Sequence, residues 1–213
     1  MKLAHLGHST VLVTTATSRI LIDPGNYSSA WHDLDGLDAI LVTHSHPDHI
    51  DPAWIPALIS HNPQARLIVE PSVPDVVDLP GAERLAAGQS VTLGRTTIHG
   101  VGGRHAIIHR DIPQIGNVGL VIDEPGEPRF FHTGDSLDAV PTGVDILAVP
   151  AYAPWCAMKE IIDFVRLVQA GRGFLVHNAM INELGWGLAF SRLNEMTDTR
   201  FSDLTDQQPV SWT

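Results

Sequence analysis

Short apolar runs separated by turn residues dominate the chain. The runs at Leu3–Leu6, Thr10–Thr14 and Arg19–Ile22 are rich in β-branched residues, which predicts a meander of three strands. Asp23-Pro24-Gly25 closes the meander with residues typical of a turn. The uninterrupted apolar run Ala39–Thr43 indicates a strand that is buried on both faces.

The same pattern continues to the end of the chain. Further strands are predicted at Arg66–Glu70, Ser90–Leu93, Thr96–Val101, Asn117–Asp123, Arg129–His132, Asp145–Val149 and Phe174–Val176. Helices are predicted from Asp51-Pro52 towards Ser60, weakly over Ser72–Asp78, and over Ala157–Ala170 and Glu183–Met196. Because hairpins come first and strands alternate with helices in both halves, we expect an α/β fold of four layers. In this αββα sandwich, two mixed β-sheets face each other with helices outside.

The composition predicts one packed domain over residues 1–213, since 44% of the residues are hydrophobic and 17% are charged. A single cysteine excludes a disulfide within the chain. The sequence has neither the apolar region of a signal peptide nor an apolar run long enough for a membrane span. We therefore expect a cytoplasmic protein that does not bind membranes.

The net charge limits the kinds of molecule that the protein is expected to bind. There are 13 Lys+Arg against 24 Asp+Glu, which gives a formal charge of -11. Such a surface repels phosphate backbones, so a small-molecule substrate is expected and nucleic acid is not. A homo-oligomer is possible. The chain also has 12 histidines, and because imidazole is a common metal ligand this excess invites a search for clusters.

The strongest cluster is Thr43-His44-Ser45-His46-Pro47-Asp48-His49, directly after a predicted buried strand. Strand ends are where ligands collect in α/β folds. His44 and His46 alternate and point the same way in an extended segment, whereas Asp48 and His49 follow in a tighter turn. Nitrogen and carboxylate donors without thiolate suit Zn(II), Fe(II) or Mn(II). The segment therefore predicts ligands for two neighbouring metal ions.

This segment resembles the HxHxDH loop of the metallo-β-lactamase superfamily, and the resemblance covers nearly the whole chain. Ile20–Gly25 matches the early strand and aspartate of that family, and Gly88–Gly94 matches its Gly-x-x-Val-x-Leu-Gly hairpin. Three later positions match its third histidine, its bridging aspartate and its last histidine; these are His105, Asp135 and His177.

The resemblance implies ligands for two divalent metal ions, with zinc expected and manganese or iron as alternatives. One ion would be bound by three histidines, the other by an aspartate and two histidines, and a second aspartate would lie between the ions. The three histidines are His44, His46 and His105, and the ligands of the second ion are Asp48, His49 and His177. The aspartate between the ions is Asp135. His99 and His109 compete with His105 for its place. Asp23 would orient a ligand histidine by hydrogen bonding.

The first hairpin resembles one branch of this superfamily in particular. Gly7-His8-Ser9 is similar to the branch that contains L-ascorbate-6-phosphate lactonase and related phosphodiesterase-like hydrolases. In that branch this histidine lies close to the metals, so His8 could bind substrate or protonate a leaving group. A surface position in the hairpin turn is the alternative. Arg104 and Arg110 could hold a phosphate or carboxylate, or could be solvated.

The resemblance implies a dinuclear metal-dependent hydrolase of a lactone, ester or phosphodiester. A hydroxide that bridges the two metal ions would attack the substrate, and Asp48 would hold the attacking water. A nuclease acting on nucleic acid, a di-iron redox protein and a metal-binding protein without catalytic activity are the alternatives. The charge of -11 disfavours the nuclease. The redox proteins of the superfamily depend on a flavin domain, for which the chain has no room.

Overall fold

The computed structural model describes all residues, Met1–Thr213, and contains two sheets of seven strands each. The strands of the first sheet are β1 (Lys2–Gly7), β2 (Thr10–Thr14), β3 (Arg19–Ile22), β4 (Ala39–Val42), β5 (Arg66–Val69), β6 (Glu83–Arg84) and β14 (Val210–Ser211). They lie in the order β14-β1-β2-β3-β4-β5-β6. The predicted meander β1-β2-β3 is antiparallel, and β3 to β6 run parallel.

The second sheet has the same mixed character. Its strands are β7 (Ser90–Leu93), β8 (Thr96–Gly102), β9 (Val118–Asp123), β10 (Phe130–His132), β11 (Ile146–Pro150), β12 (Arg172–Val176) and β13 (Arg200–Ser202). They lie in the order β13-β12-β11-β10-β9-β8-β7. The strands β7 to β10 are antiparallel, as the predicted hairpins require, and β10 to β13 run parallel.

Three apolar clusters hold four layers together and confirm the predicted αββα sandwich. The largest lies between the sheets and joins residues such as Ile20 and Leu41 to Leu120 and Phe174. A second cluster packs α1 (Ile55–His61) on the outer face of the first sheet. A third packs α2 (Met158–Val168) and α3 (Glu183–Met196) on the outer face of the second sheet. None of the three helices has the length and apolarity that a membrane span needs.

Two predicted helices differ from the structure. The helix expected from Pro52 begins only at Ile55, with Pro56 in its first turn. Proline has no backbone N–H, but an N–H in the first turn has no acceptor within the helix, so Pro56 costs no hydrogen bond. The weak helix expected over Ser72–Asp78 is a single 3-10 turn, Val73–Asp75, because so short a segment does not sustain an α-helix. The strands β6, β13 and β14 escaped prediction, since two or three residues show no periodic pattern.

Six strands have their carboxyl ends at the same edge of the sandwich. In the first sheet β1, β3 and β4 run in one direction, and in the second sheet β8, β10 and β12 run in one direction. The segments that follow their carboxyl ends contain His8, Asp23, His44–His49, His105, Asp135 and His177. Two backbone hydrogen bonds join the sheets here. The N–H of His177 donates to the carbonyl of His8 (2.7 Å), and that of Val118 donates to the carbonyl of Thr43 (2.9 Å).

Gly25 allows the turn after β3 to touch the segment after β4. A Cβ atom at this position would overlap the carbonyl group of Asp48 and would lie 2.6 Å from the backbone nitrogen of His49. The backbone N–H of Asn26 also donates to the carbonyl of Pro47 (2.9 Å). Because only glycine lacks a side chain, this contact fixes the position of the histidine-rich segment.

Replacing Gly25 with alanine is therefore expected to destabilise the protein. Overpacking of this kind costs about 1–3 kcal/mol, so the free energy of unfolding in urea should fall by that amount. Gly171→Ala is the matched control, since a Cβ at Gly171 meets no atom within 4 Å. Equal stability of the two variants would contradict the packing role of Gly25.

Candidate metal centre

The histidine-rich segment folds into a tight turn after β4. The N–H groups of His49 and Ile50 both donate to the carbonyl of His46, at 2.9 Å and 3.1 Å. His44 and His49 are completely buried, whereas His46 and Asp48 are half-buried. The first half bends at Thr43–Ser45 and is not extended as expected, and the second half turns at Pro47–His49. The two halves present their side chains to two neighbouring points in space.

Two sets of candidate ligand atoms occupy these points. Within each set all donor atoms lie within 4.8 Å of one another. The first set contains His44, His46 and His105, and the second contains His8, Asp48, His49 and His177. The structure thus brings together the residues that the resemblance implied for each metal, and His8 lies with the second set. Their roles as ligands stay a prediction.

Asp135 lies between the two sets with one carboxylate oxygen towards each. Its Oδ1 is 3.0 Å from Nε2 of His177 and 3.3 Å from Nε2 of His49. Its Oδ2 is 3.4 Å from Nε2 of His105 and accepts a hydrogen bond from the indole N–H of Trp155 (2.9 Å). This is the position that the resemblance implied for a bridging carboxylate.

The histidine tautomers fit a metal centre. Three buried histidines donate Nδ1–H to oxygen atoms: His49 to Asp23 Oδ2 (2.7 Å), His105 to the carbonyl of Ala106 (2.7 Å) and His177 to the carbonyl of Tyr152 (3.1 Å). Their Nε2 atoms are then left with a lone pair. Nε2 of His105 is buried without a hydrogen-bond partner, as is Nε2 of His44. Such unpaired nitrogens, together with the facing Nε2 atoms of His49 and His177 (3.1 Å), suit a divalent cation.

The electrostatics of the cluster favour positive charge at its centre. Burial lowers the pKa of His44 well below its ordinary value, which keeps this ring neutral and able to bind a metal. Burial also acts to lower the pKa of His49, but the charges of Asp135 and Asp23 outweigh it and raise that pKa well above its ordinary value. Two carboxylates therefore stabilise a cation here against the cost of burial.

Asp23 makes a hydrogen bond to a candidate ligand, His49, which is the kind of contact that the resemblance implied for it. Its carboxylate is fully buried and accepts the Nδ1–H of His49 on Oδ2. Its Oδ1 accepts the backbone N–H of Thr43 (2.8 Å), which ties the turn after β3 to the start of the histidine-rich segment. Asp23 also has a φ of 49°, a strained conformation for a residue other than glycine.

His8 is buried beside the second set, so the structure places it at the centre and not on the surface of the hairpin. Its φ is 48°, and its own N–H donates to Oδ1 of Asn178 (2.7 Å). The carbonyl of His8 accepts hydrogen bonds from Nε2 of His5 (2.6 Å) and from the backbone of His177. Its Nε2–H donates to Oδ2 of Asp48 (3.0 Å). Burial lowers the pKa of His8 to about 4, although the hydrogen bond to Asp48 opposes this shift.

The competing histidines and the arginines lie apart from both sets. His99 pairs with Asp123 on β9 (3.4 Å), and His109 is exposed beside Asp111 (3.6 Å). Arg104 and Arg110 are also exposed, and neither side chain forms a hydrogen bond or ion pair with a candidate ligand. His105 therefore takes the third-histidine place in the geometry.

Two side chains that the sequence pattern did not link to Asp135 form hydrogen bonds with it. The indole of Trp155 holds its Oδ2, and the side-chain oxygen of Asn117 accepts its backbone N–H (2.9 Å). An asparagine before a strand and a tryptophan in a loop carry no spacing signal. Both residues become recognisable only once β9, β10 and β11 are assembled side by side.

The chain is similar to known proteins over most of its length. The family described as "Beta-lactamase superfamily domain" matches residues 2–172. Protein Rv0786c of Mycobacterium tuberculosis is 38% identical over 213 residues and covers 100% of both chains. A UPF0173 metal-dependent hydrolase of Xanthobacter autotrophicus is 29% identical over 153 residues, which is 64% of this chain and 62% of the relative.

Solved structures share the fold. The crystal structure of isothiocyanate hydrolase from Delia radicum gut bacteria superposes with a TM-score of 0.76 and 16% identity, covering 100% of this chain and 99% of that chain. The family match and the shared fold show that the chain belongs to the β-lactamase superfamily and has the metallo-β-lactamase fold.

Proposed function

We propose that this protein is a dinuclear metal-dependent hydrolase of a small-molecule ester, lactone or phosphodiester. The observation that carries the proposal is the placement of Asp135, with one oxygen towards each of two sets of ligand atoms. Two cations so close together repel each other, and a carboxylate shared between them reduces that repulsion. The similarity to a protein named as a metal-dependent hydrolase supports the reaction class.

The donor set suits zinc, with manganese or iron as alternatives, because it consists of imidazole and carboxylate without thiolate. His44, His46 and His105 would hold one ion, and Asp48, His49 and His177 the other. Bound divalent cations would supply Lewis acidity, which lowers the pKa of water and polarises the oxygen that gains charge in hydrolysis.

Asp48 is the residue that we propose to hold the attacking water. Burial acts to raise its pKa, but the hydrogen bond from His8 and the charge of His49 lower it below the ordinary range. The carboxylate is therefore ionised and can accept a hydrogen bond from water. His8 donates to Oδ2 and so fixes the direction in which the other lone pairs of Asp48 point.

No side chain of the protein is needed as a nucleophile. Cys156 lies in the loop after β11, and burial raises the pKa of its thiol to about 11, so the thiol is protonated and unreactive at neutral pH. The sequence also lacks the G-x-S-x-G pattern of serine hydrolases. Water activated at the cluster is the nucleophile that remains.

A cavity beside the cluster has the size of a small-molecule site. Its volume is about 500 Å³, and it is lined by His8, Tyr27, Ser28, Asn178 and Gln207 among others. This volume and the charge of -11 support a small molecule as substrate and disfavour a nucleic acid.

The direct test is elemental analysis of the purified protein followed by a panel of chromogenic esters, lactones and phosphodiesters. We expect close to two divalent ions per chain and hydrolysis that chelation abolishes and added metal restores. A fully loaded protein that is inert on every substrate would instead favour the non-catalytic metal-binding alternative.

A variant pair tests the assignment of the third histidine. His105→Ala should remove one of the two bound ions, because Nε2 of His105 has no partner other than the proposed cation. Hydrolysis should fall by more than about 100-fold, since loss of a supporting residue alone costs about 10–100-fold. His109→Ala is the control and should keep both ions and full activity. Metal content and kcat measure both effects, and loss of an ion in the control would overturn the assignment.

A second pair tests the role of His8. His8→Ala should lower kcat by about 10–100-fold with both ions retained, because the variant loses the donor that fixes Asp48. His8→Gln should recover part of the activity, since its amide can donate a hydrogen bond as the imidazole does. His61→Gln, on the exposed end of α1, is the control. Loss of a metal ion in His8→Ala would show that His8 is a ligand, and a His8→Gln variant as slow as His8→Ala would indicate proton transfer.

A further inference from the structure

We infer that Thr43 is a positioning residue through which one carboxylate, Asp23, orients a ligand in each of the two metal sets. Thr43 is the residue before His44 and has neither a ligand atom nor contact with solvent. This inference rests on the metal centre of the proposed function, but it concerns cation binding and not the identity of the substrate.

The hydrogen bonds around Asp23 form one connected chain. Oδ2 of Asp23 accepts both the Nδ1–H of His49 (2.7 Å) and the hydroxyl proton of Thr43 (2.8 Å). The Oγ1 of Thr43 lies 3.0 Å from Nδ1 of His44. His49 belongs to the second set and His44 to the first, so the same carboxylate oxygen reaches both.

Counting protons fixes the tautomer of His44. A hydroxyl group carries a single proton, and Thr43 gives that proton to the acceptor-only carboxylate of Asp23. The oxygen of Thr43 can then only accept from His44. His44 must therefore carry its proton on Nδ1, which leaves the buried Nε2 with the lone pair that a metal requires.

Packing holds the hydroxyl of Thr43 in this orientation. Thr43, Asp23 and His44 are all buried from solvent, so water does not compete for these hydrogen bonds. Gly134, after β10, lies so close that a Cβ there would be 2.9 Å from Cβ of Thr43 and 3.0 Å from its Oγ1. No side chain fits between Gly134 and Thr43, so the backbone after β10 packs directly against the Thr43 side chain.

The connection predicts an asymmetry between the sets. His49 bonds Asp23 directly, whereas His44 depends on the hydroxyl of Thr43. Removing the hydroxyl should therefore weaken the first set alone, while altering Asp23 should weaken both. A residue that served only to stabilise the fold would affect the two sets alike.

The experiment is a titration of the metal-free protein with zinc against a competing chelator. In Thr43→Val, which keeps the shape of the side chain, one of the two dissociation constants should rise by about 10–100-fold. Thr43→Ser restores the hydroxyl and should restore that affinity. Asp23→Asn should raise both constants. Equal weakening of both ions in Thr43→Val, no weakening, or failure of Thr43→Ser to rescue would overturn the inference.

Variants with a single set identify the ion that is affected. Combining Thr43→Val with His177→Ala, which leaves the first set intact, should weaken the remaining ion. Combining it with His105→Ala, which leaves the second set intact, should not. The reverse pattern would overturn the inference.

A measurement on the unmodified protein does not depend on how the variants fold. Nitrogen-15 NMR of the metal-free protein labelled at histidine reports the tautomer of each ring, and we expect the proton of His44 on Nδ1. A proton on Nε2 would overturn the inference. A wild-type protein that binds neither zinc nor manganese nor iron would instead overturn the proposed function, while the NMR spectrum would still decide the role of Thr43.

Discussion

The site depends on hydrogen bonds and ion pairs between buried carboxylates and buried imidazoles, at the edge where the two sheets touch. Asp23 and Asp135 lie inside the protein, where an unpaired charge is strongly unfavourable. Burial acts to raise the pKa of Asp135, yet the charges of His177 and His49 lower it well below its ordinary value. The carboxylate of Asp135 is thus kept ionised by rings that follow different strands, and the carboxylate of Asp23 orients the ring of His49.

The sequence predicted the layers of the fold and the first candidate ligands, because both depend on local patterns. Apolar alternation and turn residues located β1 to β3, and the buried run before His44 located β4. The spacing within His44–His49 gave two ligand pairs without knowledge of the fold. Asp135 and His177 could be placed only through the resemblance to a family, since a lone aspartate or histidine after a strand has no distinctive pattern.

What the sequence could not give depends on contacts between distant segments. The competition among His99, His105 and His109 is decided by where the loop after β8 crosses the edge of the sandwich. The indole of Trp155 reaches Asp135 across 20 positions of the chain, so no local rule links them. The strained backbone at three residues also depends on distant segments. His8, Asp23 and His177 all have positive φ angles, and hydrogen bonds from other elements hold these angles.

The long separation of the proposed ligands along the chain has a consequence for when a metal ion could bind during folding. His49 and His177 stand 128 positions apart, and one belongs to each sheet. A cation that needs both rings finds no binding place in a half-assembled chain, in contrast to the short metal loops that can load while the rest is still unfolded. If His49 and His177 hold one ion as proposed, that ion would bind after the two halves have docked and would then stabilise the docked state, so that a loaded chain would be a folded one.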